Sequence, residues 1–235
     1  MDDKDSLKKT LYEDLNYNNN KNDIKNIMLL LNCFEGYNFD EQLSFNEGFR
    51  YRFDLHNKEE WSIEHIFPQK ATEKNCKSYI LDLIFLFKEE NKESELKTIL
   101  NELNIDDNII NDREKLKEKI NEKENIDINK INEIINNTQF IDIQSMGNLA
   151  LLSKNINSSL QNGIFEEKRT ILLKKISEEN IFVPPLTLKI FSKNFDGADR
   201  TKVYWTPNDF GVYLNYQKAQ LEKILNLLKI IKDKK

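Results

Sequence analysis

The sequence predicts an α+β chain in which a few short strands are set into a mostly helical body. Three observations carry this expectation. The 235 residues include only 6 Gly and 4 Pro, too few for a turn-rich β-sandwich and suited to long helices. Apolar residues over about 77–140, and again near the C-terminus, recur with helical spacing. Strand character is confined to short stretches, the approach to "WSIEHIFPQK" and the apolar run "NLALL".

In chain order, residues 1 to about 50 are polar until "DIKNIMLLLNCF", where Ile24, Ile27, Met28 and Leu31 share a helical face. The stretch "FRYRFDLHNKEEWSIEHI" then alternates. Phe49, Tyr51 and Phe53 point one way and Arg50, Arg52 and Asp54 the other, which predicts a strand or hairpin arm. From 77 to 140, Leu96, Ile99, Leu100 and Leu103 form one stripe, and Ile128, Ile131, Ile134 and Ile135 another. The charged run "DREKLKEKINEKEN" reads as a solvated helix face. "NLALL" is a strand entered through Gly147, followed by a polar run and a helix beginning near Phe165. "FVPPL" leads to a turn and a terminal helix, on which Leu221, Ile224, Leu228 and Ile231 share a face for core or partner contact.

Composition excludes several classes. At 39% hydrophobic and 32% charged, the chain suits one large globular domain or a core with additions. The longest apolar run, "YILDLIFLF", is interrupted by Asp82 and too short to span a bilayer, and "MDDKDSLKK" contains no secretory h-region. No membrane association is therefore expected. Cys33 and Cys76 form no C-x-x-C pair, which argues against structural zinc and for two reduced thiols in a cytoplasmic protein. A net charge of −5 and a pI near 5.3 do not advertise a nucleic-acid binder, although charge acts locally. The Asn-rich runs "NYNNNKND" and "NEIINN" read as codon bias toward AT-rich DNA.

Chemistry concentrates in "WSIEHIFPQK". Glu64 and His65 are adjacent, and neighbours in a regular strand point to opposite faces. They address one centre only if the strand breaks there, and Pro68 is placed to break it. A carboxylate is a hard ligand suited to Mg²⁺ or Mn²⁺, and a neutral imidazole beside it takes a proton from water near neutral pH. Asn157, nine residues after Asn148, offers a second, neutral oxygen ligand. Each residue also has a plainer reading. His65 is then a hydrogen-bonded strand-end histidine, Asn157 a helix N-cap before "SSLQ", and Asn148 a turn residue after Gly147. Lys168 and Arg169 are surface charges, His56 a surface residue of the strand or its turn, and Trp61 core.

"IEHIFPQ", followed later by "MGNLALLSKNINSSLQNGIFEEKR", resembles the HNH endonuclease domain in the C-terminal half of GmrSD-type restriction proteins. The wider ββα-metal nuclease superfamily is a looser likeness. The resemblance implies a small ββα-metal core over 49–178 with a helical insertion over about 77–140. An N-terminal helical segment, 1–48, and a C-terminal helical extension, 179–235, flank it. His65 is then the general base, and Glu64 and Asn157 hold Mg²⁺ or Mn²⁺. Asn148 is the middle letter of the motif, fixing the loop between strands and orienting His65. Lys168 and Arg169 contact phosphate, in a segment where Lys154, Lys168, Arg169, Lys174 and Lys175 outweigh Glu166 and Glu167.

The implied activity is hydrolysis of DNA phosphodiester bonds in bacterial restriction of foreign or modified DNA. No G-x-x-x-x-G-K-[ST] loop is present. The expectation is therefore a standalone nuclease subunit with a nucleotide-hydrolysing partner, or the C-terminal part of a longer protein that carries such a domain. Two rival classes stand beside this one. The first is an RNA-cleaving effector with the same site, and the second a non-catalytic module that binds DNA or a partner.

Overall fold

Apolar spacing and chain breakers set the elements in order. The computed structural model describes residues 15–39, 44–45, 51–138 and 141–233. Ile24, Met28 and Leu31 are buried along one face of α1 (Lys21–Cys33). A short ladder follows, with β1 (Tyr37–Asn38) antiparallel to β2 (Ser44–Phe45).

The expected strand or hairpin arm does not form over the described residues 51–54. Residues Phe53–His56 form a single helical turn, α2. Arg52 grips Asp54 through two hydrogen bonds of 2.8 and 2.7 Å, and the His56 amide donates back to the Arg52 carbonyl. Tyr51 is buried against Phe182 while Phe53 is exposed, so the apolar alternation does not mark one sheet face. Phe49 and Arg50 lie outside the described residues.

Strand pairing joins two segments far apart in sequence. β3 (Trp61–His65) lies antiparallel to β4 (Leu149–Ser153), with Trp61 opposite Ser153 and His65 opposite Leu149. Between them run α3 (Cys76–Glu89), α4 (Glu93–Leu103), α5 (Arg113–Asn121) and α6 (Ile128–Thr138). α3 is buried over most of its circumference and forms the centre of this helical stretch. The α4 stripe Leu96, Ile99, Leu100 and Leu103 is wholly buried, and α5 buries only Leu116 and Ile120 beneath its charged surface.

After β4 come α7 (Lys154–Leu160), α8 (Phe165–Glu179), α9 (Pro185–Phe191) and α10 (Pro207–Asp233). A two-stranded ribbon is marginal alone and gains its stability from packing against other elements. Helices α1, α7 and α9 pack around β4, and every residue of that strand is buried. The Thr187 hydroxyl on α9 donates to the Leu151 carbonyl at 2.7 Å. On α10, Leu221 and Ile224 are buried but Leu228 is half exposed, so the expected stripe fades; the side chain of Ile231 lies outside the described ones.

The architecture is thus α+β and mostly helical, with one hydrophobic cluster running from Ile24 to Ile224. Among the described residues no helix is long and apolar enough to cross a membrane.

Candidate active site at the end of β3

Asn148 organises the turn beyond β3. It ends a 3₁₀ turn, Met146–Asn148, and is fully buried. Its Oδ1 accepts the Phe67 amide at 2.7 Å, and its Nδ2 donates to the Phe67 carbonyl at 3.0 Å and the Ile143 carbonyl at 3.1 Å. Both backbone groups of Phe67, two residues past His65, are therefore held by one side chain. Gly147 lets this turn press on α10, because a Cβ there would stand 2.8 Å from the Phe210 ring.

The break expected between Glu64 and His65 is not where the structure puts it. Leu149 pairs with His65, and the Ile66 amide donates to the Asn148 carbonyl at 2.8 Å, so pairing continues past both residues. Ser62 and Glu64 leave one face of β3, and Trp61, Ile63 and His65 the other, as pleat alternation requires. The two candidate groups flank one strand end rather than sharing a face.

On the Ser62 side lies α7, carrying Asn157. Its Nδ2 donates to Ser62 Oγ at 2.8 Å and to the Ile63 carbonyl at 3.2 Å. Among the described residues no hydrogen bond reaches its Oδ1 or Glu64 Oε2. The N-cap reading of Asn157 is excluded. Ser153 caps α7, its side chain accepting the Ile156 amide at 3.4 Å, and Asn157 sits inside the helix.

Lys168 departs most from expectation. Instead of facing a phosphate, it is completely buried on α8, with Nζ 2.7 Å from Glu64 Oε1. The same ammonium donates to the His65 carbonyl and, at 3.4 Å, to that of Ile66. The first turn of α8 lies against the strand end, where one carboxylate and two carbonyls draw the cation inward. Burial pulls its pKa down, and the neighbouring Glu64 charge works the other way. Arg169 is only partly buried.

His65 is buried at 9% exposure. Burial pushes its imidazole down to about 4, with Gln144 acting in the opposite sense and Lys168 and Lys21 adding to the fall. The ring is therefore neutral at pH 7. Its Nε2 stands 3.3 Å from Gln144 Oε1 and 2.9 Å from Gln69 Nε2. These contacts demand opposite tautomers: one makes Nε2 a donor, the other an acceptor. Tyr17 packs edge-on to the ring at 4.9 Å, and its amide bonds the Gln144 carbonyl.

Gln69, Gln144 and Tyr17 also border His65, which the sequence alone did not indicate. Gln69 stood in the quoted motif, and Gln144 lies four residues before Asn148; Tyr17 gave no signal. His56, read as a surface residue, is half buried and stacked on Trp61 at 4.5 Å, with Nδ1 bonded to the Tyr51 hydroxyl.

By chemical type, the oxygens of Glu64 and Asn157 are of the kind a hard divalent cation takes. Glu64 and Asn157 lie toward one face of β3, and each has an oxygen acceptor unused among the described residues. No group of three or more His, Cys, Asp or Glu that could hold a metal occurs among those residues. One carboxylate and one amide suit Mg²⁺ or Mn²⁺ that keeps most of its water, and not zinc.

The family model for the C-terminal domain of GmrSD restriction endonucleases matches residues 1–210. No curated protein and no solved structure matches the chain. The family match contains β3, β4 and every residue of the candidate site, from Tyr17 to Arg169. The chain belongs to the C-terminal-domain family of the GmrSD restriction endonucleases.

Proposed function

We propose that the chain is a metal-dependent HNH-type endonuclease that hydrolyses DNA phosphodiester bonds in bacterial defence against foreign or modified DNA. One observation carries this reading: a neutral, buried imidazole on one flank of the β3 end and two unused oxygen acceptors on the other, so that a phosphate lying across that end meets both without a break in the strand, in a member of a restriction-endonuclease family. His65 takes a proton from the attacking water, and the Asn148 clamp on Phe67 keeps the backbone beside it fixed. Gln69 and Gln144 compete for Nε2, and holding a proton off that nitrogen, as the shorter Gln69 contact does, leaves it free to act as the base. Glu64 and Asn157 hold the divalent ion, which when bound supplies positive charge to the scissile phosphate. Arg169 provides a phosphate contact on the partly exposed side of α8. A nucleotide-hydrolysing partner or domain supplies substrate choice.

Calorimetric titration with Mn²⁺ tests the ligand set. Glu64→Ala and Asn157→Ala should each weaken binding by roughly tenfold, because the site has few protein ligands to lose. Unchanged affinity in Asn157→Ala would leave that side chain as a helix-to-strand tie alone. Plasmid cleavage that survives a chelator would exclude the metal-dependent reaction.

A further inference from the structure

Burial closes the surface role foreseen for Lys168 and leaves a cation with three acceptors and no solvent exposure. We propose that Lys168 is a positioning residue of the candidate active site: its ammonium occupies Glu64 Oε1 and leaves only Oε2 for a metal ion. The inference rests on the metal-dependent reading given above.

An ammonium has three donors. Glu64 Oε1, the His65 carbonyl and the Ile66 carbonyl give it three acceptors, so the group is fully used. A buried charge persists only when paired and hydrogen-bonded, so this arrangement is held firmly. The carbonyls belong to the residue carrying the base and to the next one. One cation therefore fixes the carboxylate on one flank of β3 and the backbone of the base on the other.

Two consequences oppose each other in sign. With Oε1 held by the ammonium, Oε2 is the Glu64 oxygen that would remain to hold the ion. At the same time an ammonium and a divalent ion share one carboxylate and repel each other, which holds metal affinity down. Removing the ammonium should therefore tighten metal binding while slowing cleavage. General structural damage would weaken both.

Lys193 provides a control, being another fully buried lysine. It pairs with Asp209 at 2.7 Å and donates to the carbonyls of Asp199 and Tyr204, none of which belongs to the candidate site.

The test uses the full chain with Lys168→Gln, Lys168→Met and Lys193→Gln. Mn²⁺ affinity is measured by calorimetry, Tm by thermal melting, and plasmid nicking at saturating Mn²⁺. Both Lys168 variants should bind Mn²⁺ roughly tenfold more tightly, from the lost cation repulsion. They should nick roughly tenfold or more slowly, from the lost positioning. Lys193→Gln should lower Tm and leave Mn²⁺ affinity unchanged. A folded Lys168→Gln that binds Mn²⁺ no more tightly than wild type overturns the proposal while leaving the metal reading intact. Wild type that binds no Mn²⁺ overturns both. Should both Lys168 variants fail to fold, the wild-type Lys168 ammonium signal in nitrogen-15 NMR decides. It should shift on Mg²⁺ addition, and a signal that stays fixed at saturating Mg²⁺ overturns the proposal.

Discussion

Asn148 concentrates three hydrogen bonds in a side chain with no exposure. Truncation strands the amide and carbonyl of Phe67 and the carbonyl of Ile143, at a cost of order 1 kcal/mol or more apiece. Asn148→Ala should therefore lose about 3 kcal/mol of stability in urea unfolding, part of which falls on the loop following His65. A loss below about 1 kcal/mol would mean that water replaces the clamp. At this scale the sequence was legible where residue type and order speak together, as with Glu64, His65 and Asn148, whose two linked motifs meet at one strand end. It was illegible where burial decides. Lys168 and Arg169 are neighbours of similar charge, and only the position of the β3 end beside α8 makes one a buried tie and leaves the other partly exposed.

Periodicity served well for long elements. The α4 stripe follows helical spacing over about two turns, and "NLALL" is a continuous apolar run that ends up buried at every position. It failed at 51–54, where the same alternation also fits a helical turn, with Tyr51 packed on His56 and on the distant Phe182. In α3 the sequence carried one more signal, Asp82 inside the apolar run. Burial pushes this carboxyl up from 3.8 to about 7, although Arg113 at 3.1 Å pulls the other way. The folded chain thus keeps a proton that the unfolded chain releases between those values. Asp82 favours folding most below its unfolded pKa, and that advantage is lost as pH rises toward the folded one, by about 1 kcal/mol per unit. Asp82→Asn removes the titration, so its unfolding free energy should fall less steeply between pH 5 and 7 than that of wild type. Identical slopes for the two proteins in urea unfolding would show that Arg113 keeps Asp82 charged throughout.

The whole molecule is acidic, at −5, and its second expected phosphate contact, Lys168, is buried beneath the site. Binding to duplex DNA draws on phosphate neutralisation, and log affinity falls with log salt in proportion to the contacts made. The isolated chain should therefore bind DNA weakly at physiological salt, with a shallow slope of about two or three phosphate contacts. A titration showing tight, modification-selective binding under those conditions would place recognition within this chain and not in a partner. The fold class could be read from composition and spacing, because both report on helices directly. The faces on which Glu64 and His65 lie could not, because strand register depends on a partner strand more than 80 residues away in sequence. Everything proposed for the site turns on His65 as the base of a metal-dependent cut. The direct measurement is nicking of supercoiled plasmid with Mg²⁺ or Mn²⁺ by wild type and His65→Ala, both verified as folded by circular dichroism. The variant should lose roughly 10²-fold or more of the nicking rate; equal rates in the two proteins would remove His65 from the chemistry.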